Sequence, residues 1–235
     1  MDNQANYILY HYPICPFSRK VRVFLKEKAI NFDIKEVKVW LRDKEFLKLN
    51  PANQTPVLEN KETGSVICDS FVICEYIEDV YPSPKDLLSK GFLGDSPVEK
   101  AEIRRIEMWF DKKFYSEVSE YILEEKIYNR FIDSKSVPNT RKLKAAQINL
   151  DMHLRYIEYL LRDRKWLAGE DFTIADIAGA TQLSSIDYFG EINWDYYKKV
   201  KDWYATIKSK PSFQPLLNDK IKGFKPSKWY NDLDF

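Results

Sequence analysis

The sequence carries almost no excess charge: 37 basic and 36 acidic residues leave a net charge of +1. No long-range field therefore draws the chain to nucleic acid or to an anionic membrane. No apolar run is long enough to span a bilayer. The opening residues, MDNQAN, are polar and lack a signal-peptide pattern. Cysteine is sparse and odd in number, with Cys15, Cys68 and Cys74 at no zinc-like spacing. That argues against a disulfide framework and fits a reducing, cytoplasmic setting. The only histidines, His11 and His153, stand far apart and offer no metal site; His153 is expected on the polar side of its helix, in solvent. Internal repeats and low-complexity tracts are absent as well.

What is present is ordinary for a globular chain, with 44% hydrophobic and 31% charged residues. Its 235 residues suffice for one large or two modest domains. The 15 Tyr, 14 Phe and 6 Trp are read as a compositional bias that also favours Lys and Ile. One stretch organises the rest: YILYHYPICPFSRKVR, from Tyr7 to Arg22. Tyr7 to Tyr12 reads as a short buried strand, which Pro13 stops. Pro16 suits the first position of a helix because it has no N–H to waste there. Cys15 thus sits at a strand-to-helix turn with the positive end of the helix dipole behind it, a place that favours a thiolate. Those residues alone leave Cys15 open between a reactive thiol and a buried, inert one.

Further on, Asn31 to Val39 alternates as a second strand, and Lys44 to Leu49 forms a short helix or turn. Pro56 opens a strand at Val57–Glu59, and Ser65–Cys68 is the last strand. A helix over Phe71–Tyr81 turns Phe71, Cys74, Ile77 and Tyr81 inward, capped by Asp69 or Ser70. The order βαβ, hairpin, helix is the thioredoxin-like arrangement, α/β in class, over residues 1–81. Residues 82–97, with Pro82, Pro84, Pro97, Gly91 and Gly94, read as a linker. Residues 98–235 read as an all-α domain. Ser96-Pro97-Val98-Glu99 is a capping box. Ile103, Ile106, Phe110 and Phe114 mark one helix face, and Leu150, Leu154, Ile157 and Leu161 another, with a loop at Phe131–Asn139. Thr173 to Asp176 is a second box opening a buried helix, and Tyr196 to Ser209 gives one more.

The chain resembles a cytosolic glutathione transferase over nearly its full length, with the closest look to the omega, tau and zeta classes. Cys15-Pro16-Phe17 resembles the family's Ser/Cys-Pro-Phe signature, and cysteine there resembles the omega class. NPANQTPVLEN, from Asn50 to Asn60, resembles the strand-entry motif whose proline is cis. GSVICDSFVICEYIED, from Gly64 to Asp79, resembles the stretch with the acidic-Ser pair. The resemblance implies glutathione as substrate, with no metal. Ser70 at a helix N-terminus suits its α-carboxylate, and Asp69 supplies an anion for its ammonium. Thr55, before Pro56, would pair through its backbone with the peptide's cysteine. Phe17 belongs to the signature, and Arg42 and Gln54 would face the glycine carboxylate.

Cys15 is the expected catalytic residue. Cysteine donates a hydrogen bond less well than a hydroxyl but is the better nucleophile, and it can form a mixed disulfide with glutathione. With Ser18 where a resolving cysteine would stand, a second glutathione would release the first. Thiol transfer or reduction, including a dehydroascorbate-reductase-type activity, is thus placed ahead of conjugation to electrophiles and detoxification. The hydroxyls of Tyr10, Tyr12 and Ser18 stay open as activators for conjugation. The second substrate, a small electrophile or disulfide, is expected between the domains near Tyr12, Trp109 or Lys112. Two other classes remain: a non-catalytic binding module and a ligand carrier. The family precedent implies a homodimer. Its expected interface sets Glu75, Glu78 and Asp79 against Arg104 and Arg105 of the partner.

Overall fold

The apolar first strand takes the place its composition demands. In the computed structural model, which describes residues 5–83 and 91–233, β1 (Tyr7–His11) is central in a four-stranded sheet of order β2-β1-β3-β4. It runs parallel to β2 (Phe32–Glu36), with Tyr7 opposite Phe32, and antiparallel to β3 (Val57–Asn60), with Tyr10 opposite Val57. β4 (Val66–Cys68) completes the hairpin, Val57 facing Cys68. β2 is mostly exposed and shorter than its alternation predicts. After Glu36 the Val37 N–H bonds the His11 carbonyl, and Val39–Leu41 winds into a 3₁₀ turn.

α1 (Pro16–Glu27) buries Val21, Phe24 and Leu25. α2 (Lys44–Leu49) is capped by Asp43 and buries Phe46. α3 (Ser70–Val80) starts one residue earlier than expected, and its buried stripe runs i, i+3, i+4, i+7 through Ser70, Ile73, Cys74 and Ile77. That phase leaves Phe71 half-buried and Tyr81 exposed, against the expectation that both point inward.

The chain divides into two compact units, Met1–Gly91 and Phe92–Phe235. Of the expected linker, residues 84–90 lie outside the described residues. The second unit opens on the Ser96–Glu99 capping box: the Ser96 hydroxyl accepts the Glu99 N–H at 3.2 Å, and Glu99 accepts the Ser96 N–H at 3.0 Å. Residues 97–132 are continuously helical: α4 (Pro97–Met108), a π-helical stretch Trp109–Ser119, α5 (Glu120–Leu123), a second π-helical stretch Glu124–Tyr128 and α6 (Asn129–Ile132). Asn139 caps α7 (Thr140–Leu160).

Then follow α8 (Ile174–Asp187), which packs on α4 and on the stretch Trp109–Ser119, α9 (Lys198–Lys208), which packs on α7, and α10 (Gln214–Leu217). All fourteen residues of α8 are buried. Gly179 is needed there, since a Cβ would come within 3.0 Å of the Phe110 ring and of Leu167. His153 overturns its expectation of solvation. It is buried, with Trp109 Nε1 donating to its Nδ1 at 3.0 Å and Glu117 Oε2 2.9 Å from its Nε2. Nδ1 accepts, so in the neutral ring Nε2 carries the proton and donates to Glu117. Burial holds this imidazole below its ordinary pKa. A polarity pattern sorts histidine outward because it cannot see the partners waiting on the facing helix.

Candidate functional site

The strand register brings four segments to one end of the first unit's sheet. His11 ends β1 opposite the end of β2 at Glu36, and Val57 begins β3 opposite Cys68, the end of β4. The segments at Tyr12–Cys15, Val39–Arg42, Thr55–Pro56 and Asp69–Ser70 therefore emerge together. Cys15 is the N-cap of α1 and is buried. Its loop is fixed by the Cys15 N–H on the Tyr12 carbonyl at 3.0 Å, and by Arg19 Nε donating to the Pro13 carbonyl at 2.7 Å. The Cys15 thiol points to Thr55, donating to its carbonyl at 3.6 Å. The Thr55–Pro56 peptide is cis.

Asp69 caps α3. Its Oδ1 accepts the N–H groups of Phe71 at 2.8 Å and Val72 at 3.5 Å, and its backbone stands at φ 76°. The carboxylate is thus committed to the helix, one oxygen at least. Ser70 follows as the first residue of an eleven-residue helix and is buried. Neither its N–H nor its hydroxyl has a partner among the described residues. The first turn of α3 therefore keeps an N–H and an O–H side by side, a pair suited to a carboxylate.

Phe17, Gln54, Arg42 and Tyr12 also belong to the first unit. Phe17 is half-buried in the first turn of α1. Gln54 is exposed, and its carbonyl accepts from Asn50 Nδ2 at 2.9 Å. Arg42 is exposed in the left-handed region at φ 49°, its guanidinium without a partner among the described residues. Tyr12 is buried, edge-on to Trp40 with centroids 5.0 Å apart. Trp109 and Lys112 belong to the second unit. Trp109 is tied to His153 and lies 4.4 Å from the Tyr156 ring, whereas Lys112 is exposed.

Of the hydroxyls left open as activators, two are occupied. Tyr10 donates to Glu59 at 2.7 Å, and burial with that bond pushes its pKa up to about 12. Ser18 accepts the Tyr12 N–H at 3.3 Å. His11 stays neutral beside the site, burial and then the nearby Arg22 and Arg19 holding its pKa down to about 3.

Residue-type reasoning missed the supports. Asn53, at φ 56°, donates from Nδ2 to the Val39 carbonyl at 2.8 Å. Asn50 accepts the Ala52 N–H at 3.1 Å while bonding Gln54. Together they set the path into Thr55. The Asn-Pro-x-Asn run was the available signal, since asparagine both folds back on backbone and tolerates left-handed φ. Among the described residues no cluster of His, Cys, Asp and Glu could hold a metal ion. No helix there is long and apolar enough to cross a membrane.

Two family models match the chain: the N-terminal domain of glutathione S-transferase over residues 14–80 and its C-terminal domain over residues 123–220. FtsZ-localized protein A of Caulobacter vibrioides is 42% identical over 229 residues, covering 97% of each chain. A glutathione S-transferase structure from Rhodospirillum rubrum is 43% identical, with a TM-score of 0.91 over 97% of this chain and all of that one. The structure of FzlA from C. crescentus is 40% identical, with a TM-score of 0.91 over 98% of this chain and all of that one. With both domains matched and a relative of that identity spanning the chain, the protein belongs to the glutathione S-transferase family.

Proposed function

We propose that the chain binds glutathione with its first unit and associates with FtsZ, in the cytoplasm and as a homodimer. The association with FtsZ is carried by one observation: the 42% identity with FtsZ-localized protein A, which leaves almost nothing of either chain unmatched. The glutathione reading is supported by Ser70, whose buried hydroxyl and N–H stand open at a helix N-terminus, at the same sheet end as Thr55 and Cys15. An α-carboxylate there would meet two donors and the positive end of the helix dipole.

Pelleting with assembled FtsZ tests the first half: the protein is expected in the pellet, and its absence there removes this half. Titration calorimetry with glutathione tests the second. Ser70→Ala removes a hydrogen bond to a charged group, so affinity should fall roughly tenfold or more. Unchanged affinity would reject the Ser70 site while leaving the FtsZ result untouched.

The contact between Cys15 and Thr55 favours a second reading, thiol transfer. The thiol lies against the backbone that would pair with glutathione's cysteine, where a disulfide between the two sulfurs is within reach. The Cys15 thiolate attacks the glutathione sulfur of a mixed disulfide, forming the Cys15–glutathione disulfide and releasing the substrate thiolate, which takes up a proton. A second glutathione thiolate attacks that disulfide, leaves as oxidised glutathione and restores Cys15.

A further inference from the structure

The segment after α10 has no regular secondary structure, yet it is held at many points. Lys208 of α9, fully buried, donates to the carbonyls of Trp229 at 3.3 Å and Asp232 at 2.6 Å. Ser227 donates its N–H to the Tyr188 carbonyl at 2.8 Å and its hydroxyl to the Asp187 carbonyl at 2.9 Å. The Tyr188 hydroxyl accepts the Ile221 N–H and donates to the Phe224 carbonyl, both at 3.2 Å. Tyr230 is buried with its hydroxyl on the Leu216 carbonyl at 3.2 Å. Fixing irregular backbone costs roughly 1–2 kcal/mol per residue. This many anchors hold the segment to one path.

Lys220, Lys222, Lys225 and Lys228 line that path, all exposed. Arg130 of α6 stands over the Phe224 ring, 5.9 Å from its centroid. Among the described residues none of these five cations has a carboxylate partner. Several cations elsewhere are paired, Lys28 with Glu78, Lys61 with Asp33, Lys126 with Glu191 and Arg155 with Asp151. From Lys220 to Lys228 the segment carries its four lysines and no acidic residue. Beside them Trp229 is 42% exposed, with the Lys228 ammonium 3.8 Å over its ring.

We propose that this segment docks an acidic, extended stretch of another polypeptide, carboxylates meeting the unpaired ammonium groups and an apolar side chain meeting Trp229. A rigid polyanion responds to the field of a whole face, and this chain is near neutral. Against an anionic bilayer each surface cation adds only about 1 kcal/mol. A flexible acidic segment instead places its carboxylates one by one and gains the aromatic contact. The inference stands apart from both the glutathione and the FtsZ readings.

Fluorescence anisotropy of the full chain with a labelled Asp/Glu-rich peptide carrying one leucine tests it, with the Asn/Gln twin as the neutral control. The acidic peptide should bind, more weakly as salt rises, and the twin should not. Lys225→Glu with Lys228→Glu should weaken binding by about tenfold or more, while Arg141→Glu with Lys144→Glu on α7, an equal change of net charge, leaves it within about twofold. Lys220→Glu with Lys222→Glu probes the same surface without disturbing the Trp229 contact. No binding of the acidic peptide, or equal weakening by segment and control variants, overturns the proposal. Tighter, segment-dependent binding to phosphatidylglycerol vesicles or to a single-stranded oligonucleotide overturns the choice of partner.

Discussion

Replacing Asp176 by alanine tests what holds the second unit together. Its Oδ1 accepts the Leu167 N–H at 2.8 Å and the Trp203 Nε1–H at 3.0 Å. Its Oδ2 accepts the Thr173 N–H at 3.0 Å and the Thr173 hydroxyl at 3.2 Å. Asp176→Ala leaves the two backbone donors and the indole N–H without acceptors in a region shut off from water. At roughly 1–3 kcal/mol each, that loss is about 6 kcal/mol at the midpoint. Against it, burial raises the Asp176 pKa from 3.8 to about 6, so removing the charge at neutral pH returns about 3 kcal/mol. The net loss is about 3 kcal/mol, which lowers the melting midpoint of a chain this size by roughly 6–12 °C.

The pH dependence has a definite sign. Because the folded pKa is the higher one, the folded state holds a proton that the unfolded chain has released between pH 3.8 and about 6. The contribution is complete below pH 3.8 and is lost as pH rises through about 6. The gap in midpoint between wild type and Asp176→Ala should therefore widen from pH 7 to pH 4, followed by circular dichroism. An unchanged midpoint, or a gap that narrows on acidification, would refute the reasoning. Glutathione affinity per folded molecule should not change.

Cys15→Ser separates the two chemistries open to the first unit. Reduction of a mixed-disulfide substrate should vanish, and conjugation to an aromatic halide should hold or rise, because a hydroxyl donates better than a thiol. Disulfide reduction that survives in Cys15→Ser rules out thiol transfer through this residue. Sedimentation at micromolar concentration should give about twice 27.9 kDa, and a mass of 27.9 kDa means a monomer. Two residues of the expected interface already have partners within the chain. Glu78 is held by Lys28 at 2.8 Å, and Arg105 by Glu102 and by the Tyr156 hydroxyl. Arg104→Glu with Arg105→Glu should lower the mass toward that of the monomer, and an unchanged mass would misplace the proposed interface.

Much of the fold was legible because it rests on local chemistry. Pro16 at a helix start and the Ser96 and Thr173 boxes each announce an end of an element on their own residues. The 3.6 spacing of Ile103, Ile106, Phe110 and Phe114 marked a face that is buried throughout. What escaped depends on partners distant in sequence. His153 looks solvated until Trp109 and Glu117 arrive beside it. Tyr10 looks like an available hydroxyl until β3 brings Glu59 within 2.7 Å. The buried stripe of α3 runs through Ser70, Ile73, Cys74 and Ile77, which puts Ile73 in the core where Phe71 was expected.

The site itself depends on backbone conformation more than on residue type. Among the described residues four non-glycines take positive φ, Ala29, Arg42, Asn53 and Asp69, all in the first unit. Arg42 and Asp69 belong to the segments that meet at the Cys15 end of the sheet, and Asn53 stands two residues before one of them. Such a conformation costs on the order of 1–3 kcal/mol and persists only where its surroundings enforce it. Asn53 is enforced by its bond to the Val39 carbonyl, and Asp69 by the two N–H groups that it caps. The strain at Asp69 has a direct effect on the next residue. By turning the backbone sharply before α3, it lets the Asp69 carboxylate cap Phe71 and Val72 while the Ser70 N–H and hydroxyl stay open. The strained residue and the open one are thus neighbours in a single turn, Asp69 serving the helix and Ser70 facing away from it in its bonding.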